Sequence, residues 1–396
     1  MEQQESPTIT VVLTTYNRVE WLGRAMDSVL AEQRVPIRLR VFDNGSTDGT
    51  EAYVRSRMDA DARIELVRRE ENIGALANYA DAFSSVDTEF FLPLADDDWL
   101  LPDFLHDAYA MLHDHPDAAA AAFVTEAWTD DGRAEMYPER PEQARQGLLT
   151  PQDHMRDWFK YGHYGWSAVL WRSEALALVG RPYICTGLSS DVDFQAQVFS
   201  RRPVVVSDRA GAVYSRHDNQ TSLGYGPGEA PHIRQLFERL DGAVRDERLF
   251  EDVEYLALRD IAVRRYQSCL HGPGAEDLTP ERLLEAADVA GFVLGDWQLV
   301  PELLGHLHDG GKASETLLTW VSNAASRLDD LRRHTDGLSR ERDDARREIA
   351  ELSGQLRRTQ QKLAVTRAKL RKTRERLRQT RARSLRARIA RRFGRS

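Results

Sequence analysis

The chain has 396 residues and a formal net charge of -9; 41% hydrophobic residues allow a buried core, and 30% charged residues predict a solvated, charge-rich element beside it. No run of about 18 apolar residues occurs, which argues against a spanning helix. Two cysteines, Cys185 and Cys269, without CxxC spacing argue against a disulfide framework or a structural zinc site. The opening MEQQESPTIT lacks the basic and apolar regions of a secretory signal, so a cytoplasmic location is expected.

From Ile9 to about Val124, short apolar runs (ITVVLTTYN, LRVFDN, RIELVRR, TEFFLPLA, AAAAAFV) alternate with segments of helical length. Trp21, Leu22, Ala25, Met26, Val29 and Leu30 recur at helical spacing between the first two runs. This βαβ rhythm predicts an α/β fold with a mostly parallel sheet and helices on both faces, with ligands beyond the carboxyl ends of its strands. Between Thr125 and Leu223, WSAVLWRS alternates like a strand and VDFQAQVF reads as a helix, so residues 1–225 are expected to form one catalytic domain. Residues 226–326 read as a small helical region interrupted at HGPGAED and HDGGKAS.

From residue 327 the period changes. Ile349, Leu356, Leu363, Leu370 and Leu377 stand seven apart, and Leu352, Thr359, Thr366, Thr373 and Thr380 form a second seam. That pattern predicts a long coiled-coil helix over 327–396 and a homo-oligomer. Residues 357–396 hold 17 Lys and Arg against one acid, Glu375, a charge of +16 on a body of -25. Leu385, Ile389 and Phe393 among arginines predict an amphipathic end suited to an anionic membrane face, giving a peripheral location there; a solvated end is the alternative. The tail has almost no stacking aromatics, so no nucleic acid partner is expected.

Three windows carry chemistry. In TEFFLPLADDDWLLPDFL a strand runs into Asp96, Asp97 and Asp98, whose mutual repulsion a hard divalent cation, Mn2+ or Mg2+, would offset; helix capping explains one or two of them. In VFDNGSTDGT a strand ends at Asp43, either in ordinary turn chemistry or offering a carboxylate to a base N-H. In LTTYNR, Thr15, Tyr16 and Asn17 lie where a strand meets a helix N-terminus.

In this order, TTYNR, FDNGSTDGT, NIGALAN and ADDDWLLP resemble the family 2 glycosyltransferases, which have the GT-A nucleotide-sugar-binding fold. The likeness covers about the first 115 residues well and runs more loosely to about Leu223. It implies that Thr15, Tyr16, Asn17, Asp43, Asn72, Gly74, Asp96 and Asp97 bind the nucleotide, and that Asp98, then Asp96, with His217, hold the metal. Relatives commonly read Asp-x-Asp-Asp where this chain begins with Ala95, and the basic residue many carry after Asn-x-Gly is absent from NIGALAN. GLSSDVDFQAQVF resembles the segment bearing the family's catalytic base, implying Asp191 with Asp193 as competitor, and AVYSRHDNQTS its closing segment, bringing Arg216 and His217 towards the diphosphate or metal.

The activity implied is inverting transfer from a UDP- or dTDP-sugar to a hydroxyl of a glycan or lipid-linked acceptor in cell-surface polysaccharide or glycoconjugate synthesis. The alternative is an inactive transferase-like head that binds nucleotide or glycan on a coiled-coil scaffold. A nucleotidyltransferase, a Rossmann dehydrogenase and a P-loop enzyme are disfavoured, because no glycine-rich phosphate loop follows the first strand.

Overall fold

The computed structural model describes residues 8–129, 134–137, 144–181, 183, 186–217, 225–294, 299–300, 303 and 323. Contacts divide the chain into two units, Met1–Ala313 and Ser314–Ser396, and the strands and helices below belong to the first. The coiled-coil seam and the basic end fall outside the described residues.

In chain order the strands are β1 (Ile9–Thr15), β2 (Ile37–Asp43), β3 (Ile64–Arg68), β4 (Phe90–Ala95), β5 (Trp99–Leu100), β6 (Ala120–Thr129), β7 (Ala134–Tyr137), β8 (Gly147–Leu149), β9 (Val169–Arg172) and β10 (Val204–Arg216). The helices are α1 (Val19–Leu30), α2 (Thr50–Met58), α3 (Ala75–Ser84), α4 (Phe104–Asp114), α5 (Pro151–Tyr161), α6 (Ala175–Val179), α7 (Ser190–Phe199), α8 (Ala230–Asp246), α9 (Asp252–Tyr266) and α10 (Pro280–Asp288).

The strands form one sheet in the order β3-β2-β1-β4-β9-β6-β10-β5, with β7 on β6 and β8 on β10. The long ladders β1–β2, β2–β3, β1–β4 and β6–β10 are parallel. Short β9 runs antiparallel to both β4 and β6. Consequently β1, β2, β3, β4, β6 and β10 all point one way, and their carboxyl ends share one edge.

All seven residues of β1 are buried, as a central strand covered on both faces demands. One layer is the apolar stripe of α1 (Leu22, Ala25, Met26, Val29) with Phe104, Leu105 and Ala108 of α4 against Ile9, Val11 and Leu13. The other face carries aromatic packing, with Phe194 of α7 edge-on to Phe83, Phe91 and Trp171. The amphipathic helix α8 buries Ile233, Leu236, Phe237 and Leu240, and packs against α7 within the same unit.

The helix after the three aspartates starts only at Phe104. Trp99 and Leu100 pair instead with Val213 and Ala212 of β10, and Asp103 takes a φ of 68° before α4. Pro102 disfavours helical geometry in the residue before it, which delays the helix start.

Candidate active site

Four of the candidate side chains sit where a strand stops. Asp43 is the last residue of β2, Thr15 of β1, Asp96 follows β4 and His217 follows β10. Asp43 is fully buried; its Oδ1 accepts the Ser46 amide at 2.9 Å. Its Oδ2 is buried and accepts no hydrogen bond; Arg68 Nε lies 3.6 Å away. The turn behind it needs glycine: Gly45 has a φ of +79°, and a Cβ there would come within 2.8 Å of the Glu71 backbone.

Two of the expected nucleotide ligands serve the loops themselves. Asn17 donates its amide to Ser46 Oγ (2.9 Å), and its side-chain oxygen accepts the Thr47 amide (2.7 Å), locking the β1 and β2 loops together. Asn72 Oδ1 accepts from Asn44 Nδ2 and from the Gly74 amide, both at 2.8 Å, which sets the entry to α3 at Gly74. Thr15 is buried, while Tyr16 is 42% exposed over the same edge.

The three aspartates separate into different environments. Asp98 Oδ2 accepts Ser167 Oγ at 2.7 Å and Oδ1 accepts the Ser215 amide at 3.1 Å, so both oxygens are turned into the protein. Burial raises its pKa, with Asp97 adding to the rise. Asp97 Oδ2 receives Arg18 Nη1 at 2.5 Å and lies 3.0 Å from His217 Nε2. Asp96 is 3.5 Å from the same Arg18 nitrogen. Burial, then the Asp97 charge, pushes Asp96 up to about 7, opposed by Arg18, the Thr15 hydroxyl and the Tyr16 amide. The His217 ring is stacked on Trp21 with centroids 4.6 Å apart, which fixes its plane.

His217 therefore meets Asp97, not Asp98, which was the first metal ligand expected. Each Asp98 oxygen is already engaged, one by Ser167 and the other by Ser215. Among the described residues no group of three His, Cys, Asp or Glu is placed to hold a metal ion. The Asp97–His217 pair does fit two adjacent ligands of one: bonds of about 2.1 Å at right angles put neighbouring donor atoms about 3 Å apart. Further positions would fall to substrate oxygens.

Asp191 is joined to this edge through the segment between α5 and β9. Gln195, one turn after Asp191 on α7, clamps Tyr164 through two 2.9 Å bonds to its backbone, and Ser167 in the same segment holds Asp98. His163, also in this segment, interacts electrostatically with Asp191. Burial raises the Asp191 pKa, with His163 opposing, and burial lowers that of His163. A short turn, Gly187–Ser189, precedes α7 and is held by Glu229, which accepts the Leu188 amide at 3.2 Å, and by the Ser189–Tyr225 hydroxyl pair at 2.9 Å.

Asp193 is engaged elsewhere. It is buried, and Arg239 Nε reaches both its oxygens at 2.9 and 2.8 Å.

Arg18, His163, Ser167 and Ser215 escaped the sequence reading. Arg18, Ser167 and Ser215 stood inside the quoted TTYNR, WSAVLWRS and AVYSRHDNQTS windows without being singled out; His163 lay outside every quoted window.

Residues 10–166 match the family model described as Glycosyl transferase family 2. The chain is 28% identical over 282 residues to the succinoglycan biosynthesis protein ExoU of Rhizobium meliloti, across 66% of this chain and 75% of that protein. It is 28% identical over 147 residues to the succinoglycan biosynthesis protein ExoO of the same organism, 36% of this chain and 40% of that one. Among solved structures, S. aureus TarS 1-349 in complex with UDP-GlcNAc has a TM-score of 0.50 at 17% identity, covering 76% of this chain and 87% of that chain. That is a likeness of fold. The match to this family model over residues 10–166, together with these relatives, supports the chain being a glycosyltransferase.

Proposed function

We propose that this glycosyltransferase moves a sugar from a nucleotide-sugar donor to a hydroxyl of a glycan or lipid-linked acceptor during polysaccharide synthesis, with inversion at the transferred carbon. The observation that carries it is the common edge where β1, β2, β4 and β10 end, gathering Asp43, Asp96, Asp97 and His217. The buried Asp43 Oδ2, without a hydrogen bond, suits a base N-H, and a uracil or thymine ring carries one. The succinoglycan relatives support the polysaccharide setting, and the UDP-GlcNAc complex of TarS supports a UDP-sugar donor.

Asp97 with His217 is the pair that would hold Mn2+ or Mg2+, in place of Asp98. A divalent ion there supplies charge neutralisation for the departing diphosphate. Asp191 takes the proton of the acceptor hydroxyl as its oxygen bonds to the anomeric carbon, and the bond from that carbon to the diphosphate oxygen breaks. One displacement from the opposite face inverts the centre. Burial of Asp191 raises its proton affinity, which makes the carboxylate a stronger base than an exposed one.

The test is a pair of assays on Asp191→Asn. The variant is expected to bind the nucleotide as the wild type does and to release no nucleoside diphosphate from donor plus acceptor. Wild-type turnover in that variant would reject Asp191 as the base. The scaffold alternative gains only if the wild type binds nucleotide and shows no turnover with any donor.

A further inference from the structure

We infer that Arg18 is a resident counter-ion of the acidic edge, occupying Asp97 until a divalent metal displaces it. The inference rests on the donor-site reading above and concerns how that site is kept before the donor arrives.

Three consecutive carboxylates at a strand end repel one another, and burial strengthens the repulsion because the low-dielectric interior screens it poorly. Asp98 is settled by neutral donors, Ser167 Oγ and the Ser215 amide. For Asp96 and Asp97 the charge is met by one guanidinium: Arg18 Nη1 is 2.5 Å from Asp97 Oδ2 and 3.5 Å from Asp96 Oδ1. Arg18 is itself largely buried, its side chain 19% exposed, so the pairing is that of a partly desolvated ion pair.

The contact falls on one atom. Asp97 Oδ2, which takes Arg18 Nη1, is also the oxygen 3.0 Å from His217 Nε2 and hence the oxygen a metal shared with His217 would use. A cation at bonding distance from that oxygen and a guanidinium nitrogen at 2.5 Å would repel each other at close quarters. Metal binding therefore requires Arg18 to withdraw. Arg18 is the residue immediately before α1. The withdrawn guanidinium has the donor geometry for a phosphate oxygen. The metal affinity of the free enzyme is thus held down by its own arginine.

The experiment measures Mn2+ binding to the full chain without nucleotide, by loss of the free-ion EPR signal, for wild type, Arg18→Gln, Arg18→Met and Asp97→Asn. At least one Arg18 variant that melts like the wild type is expected to bind Mn2+ about tenfold more tightly, about 1.4 kcal/mol, and Asp97→Asn more weakly. Equal or weaker binding by both folded Arg18 variants would overturn the inference. A second arm adds UDP, dTDP, GDP or CDP to the wild type. If a nucleotide recruits Mn2+ while the Arg18 variants show no gain, the inference alone fails. If no nucleotide recruits Mn2+ and no variant binds it, the metal-site reading beneath it fails as well.

Discussion

Replacing Asp43 by Asn changes one atom of the edge in a way the geometry isolates. Oδ1 accepts the Ser46 amide at 2.9 Å, and an asparagine oxygen can keep that bond and with it the turn through Gly45. Oδ2, buried and without a hydrogen bond, becomes an NH2 group that meets a base N-H donor with a donor. A hydrogen bond to a charged group contributes about 1.5–3 kcal/mol, so nucleotide affinity should fall about ten- to 150-fold. Titration calorimetry with the preferred nucleotide and Mn2+ reads the loss, and a melting curve reads the fold. The expected outcome is weaker binding with melting nearly unchanged. Undiminished affinity would refute the role of Asp43, and a large melting loss would show that it serves the turn alone.

Asp191→Asn should lower turnover by about a hundred- to ten-thousandfold. The pKa of Asp191 is raised by burial, so its basic form appears only at higher pH, and the acid limb of kcat/KM should lie above the usual carboxylate value of about 3.9. A limb at or below that value would contradict the burial argument. Asp98→Ala strands Ser167 Oγ and the Ser215 amide and should cost about 1–3 kcal/mol in a denaturant titration, while Asp98→Asn loses less; a neutral alanine variant would reject the structural role. Asp193→Ala leaves Arg239 without its buried partner and should cost about 3 kcal/mol, while the folded fraction retains catalysis. Loss of turnover at full stability would return Asp193 to candidacy as the base.

The first half of the fold was legible because its chemistry is local. The unbroken apolar run of β1 and the helical stripe of α1 state their burial directly, and the acids that end β2 and follow β4 mark the edge where ligands bind. What was not legible depends on distant pairing. β10 runs thirteen residues and crosses two register irregularities, so its alternation is broken exactly where VSDRAGAV should have displayed it. Choosing among Asp96, Asp97 and Asp98 required knowing that Ser167 and Ser215, from segments 69 and 117 residues away, converge on Asp98. Likewise Asp191 and Asp193 are two residues apart and chemically equal in sequence; Arg239 on α8 distinguishes them. Among the described residues no helix is long and apolar enough to cross a membrane, in line with the absence of a long apolar run.

The most direct test of the donor-site account is a thermal-shift panel of UDP, dTDP, GDP and CDP, each with and without Mn2+, on wild type and Asp97→Asn. A nucleotide at about 100 times its dissociation constant adds about 2.7 kcal/mol of stability. The account predicts that one nucleotide stabilises the wild type with Mn2+ and that Asp97→Asn loses most of that shift. No shift with any nucleotide, with or without Mn2+, would contradict it.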